Sequence, residues 1–496
     1  MAIAGLDIGT TGCKVSVYEP DGRFITSSYR EYAARYDNGE QEIEFDAIWE
    51  AVQTVIREAS SKADHIDALG VASFGEAFAL LDENDNTLAP AMLYTDPRGE
   101  EECAELVEKL GGEEAVTAIT AVKPHAMFSL PKLLWIKKHR PEQYAKAKCL
   151  LEPEDFIVYR LTGVRQVDYT LATRVLAFDI RSRSWSKKIL EVADVPESLF
   201  STPVPVGTAA GTVKPELAEA LGLSADTVIV SCCQDQIAAA AGAGVFTPGL
   251  AVDGTGTVEC VTPCLPSLPD DPAFYRKGYA VVPGTMPDTY ACYSLSFAGG
   301  LLLKWFRDRV GKFQAAQSAA AGSDFYADMD KKLPEDPTGI LVLTHFTGAA
   351  SPYMDTGSRG AIVGLAFEHT EEHIYKAFME GVTYEMLINL EVLEEQGIRV
   401  DALRATGGGA NSAQWLQIKA DILNRPISTL SCKEAGTMGI VLFTGAAIGL
   451  YPDLPTAWSK MVHEVKTYYP DPVRAKKYRE IYERYRALYG AVRGLV

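Results

Sequence analysis

The sequence predicts an α/β protein built from two related halves, and three observations predict it. An apolar strand runs into a Gly/Thr-rich turn and out into another strand at Ile3-Ala4-Gly5-Leu6-Asp7-Ile8-Gly9-Thr10-Thr11-Gly12-Cys13-Lys14. The same device returns about 246 residues later, at Leu250-Ala251-Val252-Asp253-Gly254-Thr255-Gly256-Thr257-Val258-Glu259. Between and after the copies, strand-like and helix-like patterns mix, and 496 residues suffice for roughly two to four domains. A unit repeated once suggests duplicated halves, the first over residues 1–245 and the second over 246–496.

Residues 2–8 and 14–19 read as strands, and Pro20-Asp21-Gly22 turns the chain into a third, Arg23 to Arg30. Ile48, Trp49, Val52, Val55 and Ile56 recur at helical spacing over 46–60, and Ile66 to Ser73 reads as a buried strand. Ala77 to Leu81 and Met92 to Tyr94 add further strand and turn. Val228 to Cys232 is a strand that leads into Asp235, and the small residues from Ala238 onward let a helix pack closely on a neighbour. Gly407-Gly408-Gly409 precedes a helical pattern through Trp415, Leu416, Ile418 and Ile422, where a flat or anionic ligand can approach the backbone. The tyrosines at 478, 482, 485 and 489 have partial helical spacing and suit packing.

A formal net charge of −19, from 47 Lys plus Arg against 66 Asp plus Glu, repels nucleic acid and anionic membranes. The longest apolar stretch, Ile440 to Tyr451, is too short to span a bilayer, and no signal-like start is present, so a cytoplasmic protein is expected. Nine scattered cysteines without a paired CxxC pattern suit reduced thiols. His369 and His373 stand at i, i+4 among glutamates but lack the HExxH spacing, which favours a solvated helix face over a metal site.

A tight hairpin with glycines at its crowded positions points backbone N–H groups outward, and an anion is the partner such a nest suits. Threonine hydroxyls add donors, and Lys14 adds a point charge. Asp7 cannot bind a phosphate oxygen directly, so its role is through Mg²⁺, with water between. The spacing fits neither GxxxxGK[ST] nor GxGxxG. A hairpin phosphate loop of this kind resembles those of the actin-like, or ribonuclease H-like, ATPase superfamily, which implies two such domains flanking a central cleft. Within that superfamily the ordered set SCCQDQIAAAAGAG (231–244), FTGAASPYMDTGSRGAIVGL (346–365), RATGGGANS (404–412) and EAGTMG (434–439) resembles the FGGY carbohydrate kinases.

That resemblance implies ATP as phosphate donor, Mg²⁺ as its counterion, and a small sugar or polyol as acceptor. Asp235 then matches the catalytic base, beside the plainer reading of a helix-capping residue, and shares the metal with Asp7. Thr10, Thr11 and Lys14 in the first half, and Gly256 and Thr257 in the second, match phosphate contacts. Gly300 and Lys304 match nucleotide contacts, with a plain helix interior as the alternative, and Gly408, Gly409 and Ser412 match the adenosine pocket.

For the acceptor, Gly75-Glu76 falls where xylulose kinases have Met-His and glycerol kinases have Arg-Glu, and Gln236 follows the base. His125 and Met127 resemble the His-Pro-Met segment of gluconate kinases. Glu76 beside a substrate carboxylate would cost both groups, so a neutral xylulose-like or glycerol-like acceptor is expected over a sugar acid. Asp96 and Arg98 read as pocket supports or as an ion pair within a turn. The rival readings are an actin- or chaperone-like nucleotide switch and a sugar sensor without turnover. Assembly state is left open, with a homodimer among the alternatives.

Overall fold

A computed structural model of the chain describes residues 1–495. The chain folds into two compact units: Met1–Phe246 with Ala280–Ala291 and Glu434–His463, and Thr247–Tyr279 with Cys292–Lys433 and Glu464–Val496. The first crossing falls beside the boundary expected from the sequence. The two later returns to the first unit carry no local signal that announces them.

The first unit is built on strands β1 (Ile3–Ile8), β2 (Gly12–Tyr18), β3 (Phe24–Glu31), β4 (Ala68–Ser73), β5 (Thr208–Thr212) and β6 (Val228–Gln234), in the sheet order β5-β6-β4-β1-β2-β3. β1 is antiparallel to β2 and parallel to β4, which is parallel to β6. The central strands β1, β4 and β6 are buried on both faces and read as continuous apolar runs. Helix α1 (Phe45–Ser60) buries Ile48, Val52, Val55 and Ile56 on the apolar cluster that includes β1 and β2, as its spacing predicts.

Two short helices complete the frame beneath the site. α2 (Asp235–Gly242) follows β6 directly, and α3 (Ala435–Ala447) packs against it and against β1. Gly439 makes that approach possible, because a Cβ there would lie 1.8 Å from the Ala238 carbonyl oxygen. The small residues after Asp235 thus serve the close packing that the sequence predicts.

In the second unit β7 (Gly249–Thr255) is antiparallel to β8 (Glu259–Leu265) and parallel to β9 (Val400–Gly407), which pairs in parallel with β10 (Ile427–Leu430). A hairpin whose first strand lies beside a later parallel strand is the arrangement of β1, β2 and β4, so the duplication extends from motif to topology. α4 (Gly300–Arg309), α5 (Glu371–Glu395), α6 (Ala413–Leu423) and α7 (Pro472–Tyr485) complete what is needed here. Tyr478, Tyr482 and Tyr485 of α7 are buried and donate to Glu380, Glu391 and Glu385 of α5, so the tyrosine stripe is packing. His373 accepts from the Thr370 backbone N–H in a capping box at the start of α5, a structural duty. Among the described residues no helix is long and apolar enough to cross a membrane.

Candidate active site

The first hairpin closes through a Gly9 N–H to Gly12 carbonyl bond of 2.9 Å, and the Tyr32 hydroxyl donates to the Gly9 carbonyl. Thr10 and Thr11 form its tip, and among the described residues no protein acceptor takes their backbone N–H groups. Those donors are what an anion requires. Asp7 stands opposite Lys14 across β1 and β2, and the Lys14 ammonium lies 2.9 Å from Glu434, which precedes α3. Lys14 therefore reaches the hairpin already paired, a partner that no sequence pattern announced.

Asp235 is the first residue of α2, and its Oδ1 accepts the Gln236 backbone N–H at 2.7 Å. Asp7 and Asp235 keep some accessible surface, yet the protein atoms around them strip away most of their water. Burial first, then Glu434, pushes the Asp7 carboxyl up to about 6, against the pull of Lys14. Burial first, then Asp7 and Glu76, pushes Asp235 up to about 7. Two desolvated carboxylates, one of which disfavours the charge of the other, suit a hard divalent cation, which takes its remaining ligands from water and phosphate oxygens.

Glu76 is buried at φ +61° and ion-paired through Oε1 with Nε and Nη2 of buried Arg174. Its Oε2 has no hydrogen-bond partner among the described residues. At Gly75 a Cβ would meet Arg174 Cγ at 2.8 Å, so the glycine makes room for the arginine. Phe128 underlies the guanidinium, 5.0 Å from ring centroid to Cζ. Behind the pair, buried Glu152 accepts from Ser129 Oγ and from the Glu76 backbone N–H, and burial raises its carboxyl well above the usual range. Tyr94 is half exposed, and its phenol is raised by burial first and then by the nearby charges of Glu76 and Asp235.

His125 sits in an exposed turn, where its Nδ1 accepts the Met127 N–H at 3.0 Å, and no hydrogen bond joins it to Glu76 or Asp235 among the described residues. Met127 is half buried against the apolar cluster that includes Phe128 and Leu130. Asp96 and Arg98 form a buried ion pair at 2.7 Å, which Glu42 extends at 2.9 Å.

In the second unit the expected nucleotide residues converge. Gly256, Thr257, Gly300, Lys304, Gly408, Gly409 and Ser412 all line one cavity of about 740 Å³, a size suited to a nucleoside. The start of α4 is fastened to the second hairpin by Gly300 N–H to Gly256 carbonyl and Leu301 N–H to Thr257 carbonyl bonds of 2.9 and 3.1 Å. Gly300 is thus a helix start against the hairpin rather than a plain helix interior. Ser412 caps α6 by accepting the Trp415 N–H and donates to Asp330 at 2.6 Å. Leu301, Tyr326 and Trp415 supply an apolar bed that the sequence did not disclose.

The two hairpins differ at their carboxylates. Asp253, the counterpart of Asp7, is fully buried, and its oxygens accept from Lys419 Nζ at 2.9 and 2.8 Å, with Thr255 and Glu259 bound to the same ammonium. Burial opposes its charge, but Lys419 overrides burial and holds the Asp253 carboxyl below its usual range. The second hairpin's aspartate is held by a lysine, and Asp7 of the first has no ion pair among the described residues.

A desolvated carboxylate at a strand-to-helix junction in one unit, and a nucleoside-sized cavity beside a Gly/Thr hairpin in the other, are the features a nucleotide-dependent phosphotransferase needs. The chain belongs to the FGGY family of carbohydrate kinases, whose N-terminal domain model matches residues 2–242 and C-terminal domain model residues 250–448. It is accordingly an ATP-dependent kinase that transfers phosphate to an alcohol group of a carbohydrate. A xylulose kinase of Bacillus subtilis is 25% identical over 492 residues, spanning 98% of this chain and 96% of the relative. An autoinducer-2 kinase of Klebsiella pneumoniae is 26% identical over 510 residues, spanning 100% and 94%. The crystal structure of xylulose kinase from Rhodospirillum rubrum superposes with a TM-score of 0.88 at 25% identity, covering 100% of this chain and 99% of that one.

Proposed function

We propose that the acceptor is a small neutral ketose or polyol and that Asp235 removes the proton from its reacting hydroxyl. The observation that carries this reading is the pairing at Glu76: Oε1 is satisfied by Arg174, and Oε2 is left to accept an acceptor hydroxyl. The relatives named xylulose kinase support it. Gln236 holds Asp235 Oδ1, which leaves Oδ2 for the proton. As that proton moves, the hydroxyl oxygen bonds to the γ-phosphorus, the bond to the β-phosphate oxygen breaks, and ADP departs.

On the donor side, Thr10, Thr11 and Lys14 are the phosphate-binding residues of the first unit, and Gly256 and Thr257 those of the second. Gly300 and Lys304 attend the ribose and phosphates, while Gly408, Gly409 and Ser412 line the adenosine cavity. Asp7 and Asp235 are the residues that would hold Mg²⁺, whose charge offsets that of the phosphates. Tyr94, which senses both Glu76 and Asp235, joins the acceptor residues.

A second reading, a sugar acid, is favoured by Arg174. The guanidinium already offsets Glu76, so the charge objection to an anionic acceptor no longer holds. ADP release measured across ketoses, polyols and sugar acids decides between them. Saturable turnover with a neutral ketose or polyol is expected, and turnover confined to acids would move the assignment to the second reading.

A further inference from the structure

One short segment, Asp168-Tyr169-Thr170-Leu171-Ala172-Thr173-Arg174, is bonded both to the strand that presents Asp235 and to Glu76. Its first residue ends a strand, Gln166–Asp168, and caps the turn that follows: Asp168 Oδ1 accepts the Thr170 N–H at 2.7 Å and Oδ2 the Leu171 N–H at 3.4 Å. The same Oδ1 accepts from Thr170 Oγ1 at 2.5 Å, which leaves the lone pairs of that hydroxyl facing the other way. There they accept the Gln234 backbone N–H at 2.7 Å. β5 pairs with β6 only as far as Ser231, so at the last residue of β6 a side-chain oxygen serves where the strand beside it has ended. Asp235 is the next residue. At the other end of the segment Thr173 Oγ1 donates to the Thr170 carbonyl at 2.5 Å, and Arg174 holds Glu76.

This network lies in the core. Glu154, Asp168 and Thr170 expose no surface, and Glu154 Oε2 accepts the Asp168 N–H at 3.4 Å. Burial raises both carboxyls, and a proton kept on Glu154 and donated to Asp168 leaves the pair with one negative charge. A lone threonine hydroxyl rotates to suit its surroundings, but one that faces a buried carboxylate gives its proton there and turns its lone pairs elsewhere. Thr170 is thereby fixed as an acceptor for Gln234.

We propose that Thr170 is a positioning residue for the phosphoryl transfer: its hydroxyl, oriented by Asp168, fixes the end of β6 so that Asp235 faces the acceptor hydroxyl that Glu76 holds. The proposal rests on the reading of Asp235 as the base. Thr170 touches neither acceptor nor nucleotide and acts through the backbone one residue before Asp235. It also stands one helical turn from Arg174, so a single piece of chain sets the base and the ion pair that grips the acceptor. A displacement of about 1 Å at a reacting group, caused by a change away from the chemistry, can cost about 10²-fold in rate.

A kinetic cycle over Thr170→Val and Asp235→Asn in the full chain tests this, with a melting curve recorded for every variant. Thr170→Val keeps the shape and removes the hydroxyl. It should lower kcat about 10- to 100-fold while acceptor KM and ATP affinity stay within about threefold of wild type. Thr170→Ser, which keeps the oxygen, should recover most of the lost rate. Beside Asp235→Asn the valine should cost little more, because a residue that acts only through the base has nothing left to act on. A valine variant with wild-type kcat, a serine no better than the valine, or the full valine loss repeated beside Asp235→Asn would overturn the proposal. Near-normal turnover of Asp235→Asn alone would instead remove the base on which the proposal rests. Should Thr170→Val fail to fold, Thr170→Ala, which leaves space at the Gln234 N–H for a water, takes its place in the same cycle with the same expectations.

Discussion

Asp235→Asn is expected to lower kcat by about 10²–10⁴-fold while ATP binding persists, because the amide keeps the shape of the carboxylate but cannot accept the acceptor's proton. The same group is expected to set the pH profile of the wild-type enzyme. Burial, Asp7 and Glu76 raise Asp235 to about 7, so a base that must be ionised is half protonated at neutral pH. The rate kcat/KM should therefore rise as pH passes upward through about 7 and fall below it, and the asparagine variant should lose that limb. Steady-state rates from pH 5.5 to 8.5, alongside nucleotide titrations of both proteins, check the pair of expectations. Near-normal turnover in the variant would remove Asp235 from the mechanism.

Arg174→Met should destabilise the fold strongly. It leaves Glu76, only 5% exposed, buried without its cation, and breaking a buried pair by removing one partner costs about 3–5 kcal/mol. At pH 5 the loss should shrink, because the stranded carboxyl escapes the penalty by binding a proton. Arg174 also lowers the proton affinity of Asp235, so its removal should move the acid limb of surviving activity to higher pH. Pairing the change with Glu76→Gln should recover most of the stability but not the acceptor KM. Denaturant unfolding at pH 5 and 7.5 measures the first part and acceptor kinetics the second. A single variant as stable as wild type at pH 7.5 would mean that the ion pair does not organise this pocket.

What was legible in the sequence is what is local. Each hairpin announces itself because glycine, threonine and aspartate are needed within a few residues of one another, and the junction at Asp235 shows as a strand that stops at a carboxylate before a run of alanines. The cavity glycines were readable for the same reason: a backbone that must come close to a ligand, or to another backbone, has little alternative to glycine. What stayed hidden depends on distant partners. Arg174 lies 98 residues from Glu76, and Lys419 lies 166 from Asp253. Without the arginine, Glu76 read as a bare negative charge hostile to sugar acids, and the space that Gly75 leaves for a side chain went unseen. Without the lysine, nothing in the repeated motif told Asp253 from Asp7. An arginine inside the apolar stretch LATRVLAF was the one available hint, since a buried guanidinium must have a carboxylate beside it.

The proposed reaction passes phosphate directly from ATP to a sugar hydroxyl while Asp235 takes that hydroxyl's proton, in a pocket organised by Glu76 and Arg174. ATP labelled in its γ-phosphate tests it most directly, by the partition of label between sugar phosphate and inorganic phosphate with and without a saturating acceptor. Label should appear almost wholly in sugar phosphate, and ADP release should stay low until acceptor is added. Release of inorganic phosphate at the same rate with or without any acceptor would contradict it.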